Sequence, residues 1–345
     1  MNNSNSFPCH LYMLYLNEKG EIFPCPRAPM NNLIGHVYDL DILQRIIDYV
    51  PQKCECSICA LREANKEEKL NGIVNLNLEI GGECNGACFF CFQKTLSTFR
   101  KHYPYFRELE TFFLGLSHLK TATIFGGEVT VQAETLRLIS LLCNMNGTKV
   151  TIVTNGDIQC GQYESLCKMI DNFQVSFYGF SPESVQLISR LDLIRIRAFC
   201  EYLSNNNRQL DVKFVLSPIV IHELLPFLEW SLSLNVKHVM IYYAILPTED
   251  YESTGRRDVS SFENLNPEYW NPLLIRLSVA VKKFFVVNNM RIKERNINYI
   301  INHDVLRILK IPCSFLNELD IPQNKSISIS CKAWKDILGQ KNPRG

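Results

Sequence analysis

The chain has 345 residues, 46% of them hydrophobic, enough to bury a large core and a smaller second one. Its 36 Lys and Arg nearly balance 35 Asp and Glu, leaving a formal net charge of +1 and no basic stripe, which speaks against a nucleic-acid partner. The N-terminal stretch lacks a basic-then-apolar signal pattern, and no apolar run nears the roughly 20 residues that span a bilayer, so a cytoplasmic protein without a membrane partner is expected. Fourteen cysteines in a reducing compartment do not suggest a disulfide framework, and the clustered ones are read first as metal ligands.

In chain order, Cys9 and Cys25 bracket a hairpin whose turn is Asn17-Glu18-Lys19-Gly20, followed by a helix at residues 40–49 and by Cys54, Cys56 and Cys59. A charged helical segment at 61–70 reads as a linker. From residue 73 onward, short β-branched or aromatic runs alternate with helical periodicity. The strands are placed at 73–80, 121–125, 149–153, 174–177, 211–216 and 237–243. Helices are placed between them at 105–119, 133–143, 162–171, 183–204 and 221–232. After residue 247 the pattern is irregular, with a helix near 267–285 and a strand at 326–331. The fold class expected is therefore α/β, a partial (β/α)6 TIM-like barrel over residues 71–247. A small cysteine-rich iron–sulfur domain at 1–70 precedes it, and an irregular extension at 248–345 follows, placed to cover the substrate site.

At the end of the first barrel strand, Cys84, Cys88 and Cys91 place three thiols in the glycine-containing loop Cys-Asn-Gly-Ala-Cys-Phe-Phe-Cys. Three close thiolates suit a [4Fe–4S] cluster with one iron left open to a small molecule. The alternative, a zinc site, needs a fourth ligand, and no neighbouring histidine supplies one. The CxxxCxxC spacing, with aromatic Phe90 before the last cysteine, resembles the signature of the radical S-adenosylmethionine (SAM) superfamily. Gly126, Gly127 and Glu128 close the second strand and resemble that family's GGE motif, which implies that they hold the amino group of SAM. Thr154-Asn155-Gly156 resembles the TNG segment, which implies Asn155, together with Phe90, as a SAM-binding residue. Ser176-Phe177-Tyr178-Gly179 resembles Ser-x-Asp-Gly, with Tyr178 in place of Asp and Ser176 placed toward the SAM ribose. The resemblance spans residues 72–247. It implies a cluster that passes one electron to SAM, a 5′-deoxyadenosyl radical that abstracts a substrate hydrogen, and an electron donor such as flavodoxin or ferredoxin.

The spacing from Cys9 through Gly20 to Cys25 resembles SPASM and twitch domains, which bind auxiliary iron–sulfur clusters, although there the module usually follows the barrel. The resemblance implies an auxiliary [4Fe–4S] cluster held by Cys9, Cys25, Cys56 and Cys59, with Cys54 a substitute ligand and a structural zinc the alternative. Cys143, Cys160, Cys167 and Cys200 fall in or beside helical patterns and read as small core residues. Cys313 lies in the C-terminal segment, where its thiol would serve as hydrogen donor or simply pack. The leading reading is an oxidoreductase-type radical SAM enzyme that modifies a peptide by crosslinking or oxidation. The alternatives are a dehydrogenase or epimerase of a sugar or aminocyclitol and, from another class, a non-catalytic metal-binding scaffold.

Overall fold

Period-two alternation of apolar and polar residues sets the strands, most plainly in the middle of the chain. The structure, a computed structural model, describes residues 7–8, 13–17, 19–23, 33–48, 53–54, 75–80, 83–88, 91, 106–116, 119–144, 147–243, 267–301, 303–312 and 314–319. They divide into two units. The first holds the described residues up to Ala87 and those from Phe106 to Gln174; the second holds Cys88, Cys91 and those from Val175 onward.

In the first unit, the N-terminal segment forms β1 (Phe7–Pro8), β2 (Met13–Leu16), β3 (Glu21–Phe23), β4 (Gly35–His36), α1 (Ile42–Asp48) and β5 (Lys53–Cys54). The expected hairpin is present, with β2 antiparallel to β3 and Tyr15 opposite Phe23. Asn17 shapes the turn, its Oδ1 accepting from the N–H groups of Lys19 at 3.0 Å and Glu21 at 2.9 Å. Gly20 follows at φ +82°, where a Cβ would come within 2.6 Å of the His36 ring. β1 and β5 pair antiparallel in a separate two-stranded ladder. β2 also lies parallel to the next strand, Met13 opposite Asn75 and Leu16 opposite Leu78, so the hairpin extends the main sheet at that edge.

That next strand is β6 (Asn75–Glu79), followed by α2 (Phe106–Gly115), β7 (Thr121–Phe125), α3 (Ala133–Asn144), β8 (Lys149–Thr154), α4 (Tyr163–Met169) and β9 (Asn172–Phe177), which carries the unit boundary. β6, β7 and β8 are parallel neighbours. Leu76, Leu78, Ala122, Ile124, Val150 and Ile152 are at most 1% exposed on one face of this sheet. The alternate positions Asn75, Asn77, Thr123 and Thr151 are polar and half-buried. Leu109, Phe112 and Phe113 of α2 and Leu138, Ile139 and Leu142 of α3 are buried at helical spacing. Each such side chain contributes about 1.5–3 kcal/mol, and Phe113→Ala would cost about 3–5 kcal/mol.

The second unit continues with α5 (Pro182–Ser189), α6 (Leu193–Asn205), β10 (Gln209–Leu216), α7 (Leu224–Ser231), β11 (His238–Tyr243), α8 (Pro267–Glu294), β12 (Asn298–Ile301), α9 (His303–Ile308) and α10 (Ser314–Glu318). β10, β11 and β12 run parallel, Asp211 beside His238 and His238 beside Asn298. Phe177, Phe180, Phe227 and Trp230 form one aromatic cluster, with ring centroids 5.2–6.2 Å apart.

The α/β class with parallel strands and intervening helices is as expected, while several details differ. The helix expected at 183–204 is two: Arg190 ends α5 in the left-handed region at φ 56°, and Asp192 starts α6 by accepting from the N–H groups of Ile194 and Arg195. The helix expected to end near residue 285 runs to Glu294, where Asn296 turns the chain at φ 52° into β12, so the C-terminal segment opens with a further strand of the parallel set. Cys160 is exposed in the short turn Cys160–Gln162 rather than packed, whereas Cys167 and Cys200 are buried. The segments expected at 61–70 and 326–331 lie outside the described residues. Among the described residues no helix is long and apolar enough to cross a membrane.

Candidate active site

Three loops of the first unit leave the C-terminal ends of β6, β7 and β8. After β6 comes Cys84, half-buried, whose Sγ accepts from the Gly86 N–H at 3.3 Å. Cys88 and Cys91, in the second unit, are also half-buried, and the Cys91 N–H donates to the Cys88 carbonyl at 3.2 Å. Among the described residues, no three His, Cys, Asp or Glu side chains are gathered at the spacing of a bound metal ion. The donor set itself is soft, half-buried sulfur, which is what an iron–sulfur cluster requires.

After β7, Gly126 and Gly127 adopt φ values of 104° and 29°, and Glu128 follows. Glu128 is 0% exposed, yet both carboxylate oxygens are engaged. Oε1 accepts from the Thr130 N–H at 3.1 Å, the Thr130 hydroxyl at 2.7 Å and the Thr154 hydroxyl at 2.7 Å, and Oε2 accepts from the Asn155 N–H at 2.8 Å. Burial pushes this carboxyl above the ordinary range against those four donors. The Glu128 N–H in turn donates to the Glu83 carbonyl at 2.9 Å, beside Cys84.

After β8, Gly156 takes φ 75°, and Asn155 is 8% exposed. The Asn155 side chain accepts from the Asp157 N–H at 2.9 Å and donates from Nδ2 to Asn85 Oδ1 at 2.7 Å. Asn85 completes the circuit by donating to the Asp157 carbonyl at 2.9 Å.

A separate arrangement fixes the loop after β9 in the second unit. Ser176 is 3% exposed at the strand end. Glu223 accepts from the hydroxyls of Ser181 at 2.6 Å and Ser184 at 2.8 Å and from the Phe180 N–H. At Gly179 a Cβ would meet Ser184 Oγ at 2.2 Å.

Of the expected site residues, Cys84, Gly126, Gly127, Glu128 and Asn155 therefore stand on neighbouring loops of one unit, while Cys88, Cys91 and Ser176 belong to the other. Cys9, Cys25, Cys56, Cys59, Phe90 and Cys313 lie outside the described residues, and Cys54 is described only as backbone of β5 opposite Phe7. Sequence reasoning missed Asn85, Thr130, Thr154 and Glu223. The local sign for Asn85 and Thr154 was their place within or beside quoted motifs; Glu223 gave none.

Residues 78–223 match the radical SAM superfamily, a family that uses a [4Fe–4S] cluster and SAM. Over 125 residues the chain is 26% identical to the probable GTP 3′,8-cyclase of Methanothermobacter thermautotrophicus (strain Delta H), a match covering 35% of this chain and 41% of that protein. The chain thus spans less than half the length of that curated relative. Among solved structures, SuiB of Streptococcus suis is 15% identical, with 85% of this chain and 60% of that one covered and a TM-score of 0.49. The structure of anSMEcpe with bound AdoMet and peptide is 18% identical, with 62% of each chain covered and a TM-score of 0.47.

Proposed function

We propose that this chain is a radical SAM enzyme that abstracts hydrogen from a peptide substrate, with Cys84, Cys88 and Cys91 holding the [4Fe–4S] cluster at which SAM binds. The observation that carries the reading is the junction of the Cys84 loop with the loops of Glu128 and Asn155 inside a stretch that matches the superfamily.

A [4Fe–4S] cluster held by Cys84, Cys88 and Cys91 would supply one electron for the reductive cleavage of SAM. The chain's own residues bind and orient. Gly126 and Gly127, lacking side chains, leave backbone groups open to the methionine amine. Ser176, at the end of β9, is assigned to the ribose, and Phe90, within the cysteine loop, to the adenosyl group. The parallel sheet gives the site a rigid base, which is what keeps a radical aimed at one carbon.

The N-terminal cysteines Cys9, Cys25, Cys56 and Cys59 are assigned to an auxiliary [4Fe–4S] cluster, with Cys54 the substitute, and Cys313 to hydrogen donation. The β2–β3 hairpin between Cys9 and Cys25 supports the auxiliary assignment. In this reading residues 1–70 are the auxiliary domain, 71–247 the catalytic barrel and 248–345 the cover of the substrate site. The cytoplasm, with a flavodoxin or ferredoxin as donor, is the setting.

Anaerobic reconstitution followed by dithionite and SAM tests the reading. The expected result is 5′-deoxyadenosine from the wild type and none from Cys84→Ala. About eight iron per chain would mark two clusters and about four would remove the auxiliary one. Absence of 5′-deoxyadenosine with a full cluster overturns the assignment, and turnover of GTP in place of a peptide overturns the substrate class.

A further inference from the structure

Radical generation asks for more than ligands. The cysteine loop must keep a fixed distance and orientation to the loops that hold SAM, because misplacement by a fraction of an ångström costs rate steeply. Loops leaving separate strands have no such relation unless something ties them.

In the first unit the ties form a closed ring. The loop after β6 meets the loop after β7 where Glu83 O accepts from the Glu128 N–H at 2.9 Å and from Gln132 Nε2 at 3.1 Å. The loop after β7 meets the loop after β8 through the Glu128 carboxylate, which takes the Thr154 hydroxyl on one oxygen and the Asn155 N–H on the other. The loop after β8 returns to the loop after β6 through two asparagine side chains: Asn155 Nδ2 donates to Asn85 Oδ1, and Asn85 Nδ2 donates to the Asp157 carbonyl.

Two features separate this ring from ordinary loop bonding. Glu128 is fully enclosed, with four protein donors on its carboxylate, so it serves as an anchor between loops. Asn85 stands between Cys84 and Gly86, whose N–H bonds the Cys84 sulfur at 3.3 Å. Hydrogen bonds to cluster sulfurs are among the settings of a cluster's electronic state. The Asn85 amide thus links the geometry at Cys84 to a loop 70 residues further on.

We infer that Asn85 and Asn155 form a clasp, acting as positioning residues that hold Cys84 in register with the SAM-binding loops; the inference rests on the radical SAM reading above. Neither amide need touch SAM or iron. Asn85→Ala removes both bonds of this link and Asn155→Ala one of them, so the double variant adds nothing to Asn85→Ala.

The experiment compares wild type, Asn85→Ala, Asn155→Ala and the double variant, each reconstituted anaerobically. Iron and sulfide content, the electron paramagnetic resonance of the reduced cluster with and without SAM, and SAM affinity are read. The apo proteins are followed by hydrogen–deuterium exchange over residues 83–88 and 155–157. The expected result is iron content equal to wild type, a changed SAM-induced signal, and SAM affinity weakened roughly tenfold in Asn85→Ala, less in Asn155→Ala, and no further in the double variant than in Asn85→Ala. Exchange should rise in both loops in either single variant.

Additive losses, or single variants that bind SAM as wild type does, overturn the clasp. If a single alanine variant loses its fold, Asn85→Asp takes its place. It keeps the acceptor for Asn155 and turns a carboxylate toward the Asp157 carbonyl, so exchange should rise at 155–157; unchanged exchange overturns the clasp. A wild type that takes up the cluster but shows no SAM-induced signal fails the radical SAM reading itself, whereas failure of the clasp leaves that signal intact in every variant.

Discussion

The main-chain N–H of Asn155 donates to Oε2 of Glu128 across 2.8 Å, joining two loops whose residues lie 27 apart in the chain. Because Glu128 is wholly enclosed, the bond sits where water does not compete, and an unsatisfied donor left there costs about 1–3 kcal/mol. Glu128→Ala, which strands Thr130, Thr154 and Asn155 together, should therefore destabilise the apo protein by on the order of 3 kcal/mol. Urea unfolding with an unchanged slope measures it, and a loss below about 1 kcal/mol would show that the junction is incidental.

The same carboxyl should mark itself in pH dependence. Burial raises its folded pKa above the ordinary 4.5. The native state then holds the proton more tightly than the unfolded chain, so this contribution is complete below about pH 4.5 and is lost as pH rises through the folded value. Glu128→Gln has no proton to lose. Its stability relative to wild type should improve as pH climbs from about 4 to 8, and parallel curves would be inconsistent with a raised pKa.

Gly179 tests the loop after β9. A methyl group there collides with Ser184 Oγ, whose hydroxyl is bonded to Glu223, so neither can yield without opening the Ser181 and Ser184 cap of α5. Gly179→Ala is expected to cost about 1–3 kcal/mol and to weaken SAM binding through displacement of Ser176. Titration of the reconstituted protein with SAM reads the second effect. Wild-type affinity in a destabilised variant would remove Ser176 from the site.

Lys213, on β10, carries an opposite kind of strain. Burial lowers its pKa from 10.5, with no neighbouring charge among the described residues to offset it. The unfolded chain therefore holds this proton more tightly, and stability rises with pH from the folded value up to about 10.5. Lys213→Met keeps the apolar stem and drops the charge, so it should be more stable than wild type by about 1 kcal/mol near neutral pH. Thermal unfolding at pH 7 and again near pH 10 should show the gain shrinking. An equal gain at both values would trace it to packing instead.

Where the sequence predicted well, the signal was local. The strand at 121–125 matches β7 at both ends, because alternation in Thr-Ala-Thr-Ile-Phe runs straight into two glycines. The junction around Glu128 was invisible for the opposite reason: Asn85 and Asn155 meet across 70 residues, and neither residue type nor spacing announces the pairing. β12 was missed because its four residues, Asn-Tyr-Ile-Ile, are too few to show a period, and only their pairing with β11 defines them as a strand. The parallel contact of β2 with β6 is likewise a product of tertiary assembly.

The break between α5 and α6 offers a prediction about backbone conformation. Arg190 holds φ 56° and ψ 27° at the end of α5, its N–H bonded to the Gln186 carbonyl, in a region where a Cβ crowds the following carbonyl. Arg190→Gly removes that crowding, while the bond to Gln186, being main-chain, survives. Glycine is freer in the unfolded chain and gives back part of the gain, so the net stabilisation should be about 0.5–1 kcal/mol. A rise in melting temperature with unchanged SAM affinity is the expected outcome. A fall would mean that the Arg190 side chain holds a contact worth more than the strain its backbone carries.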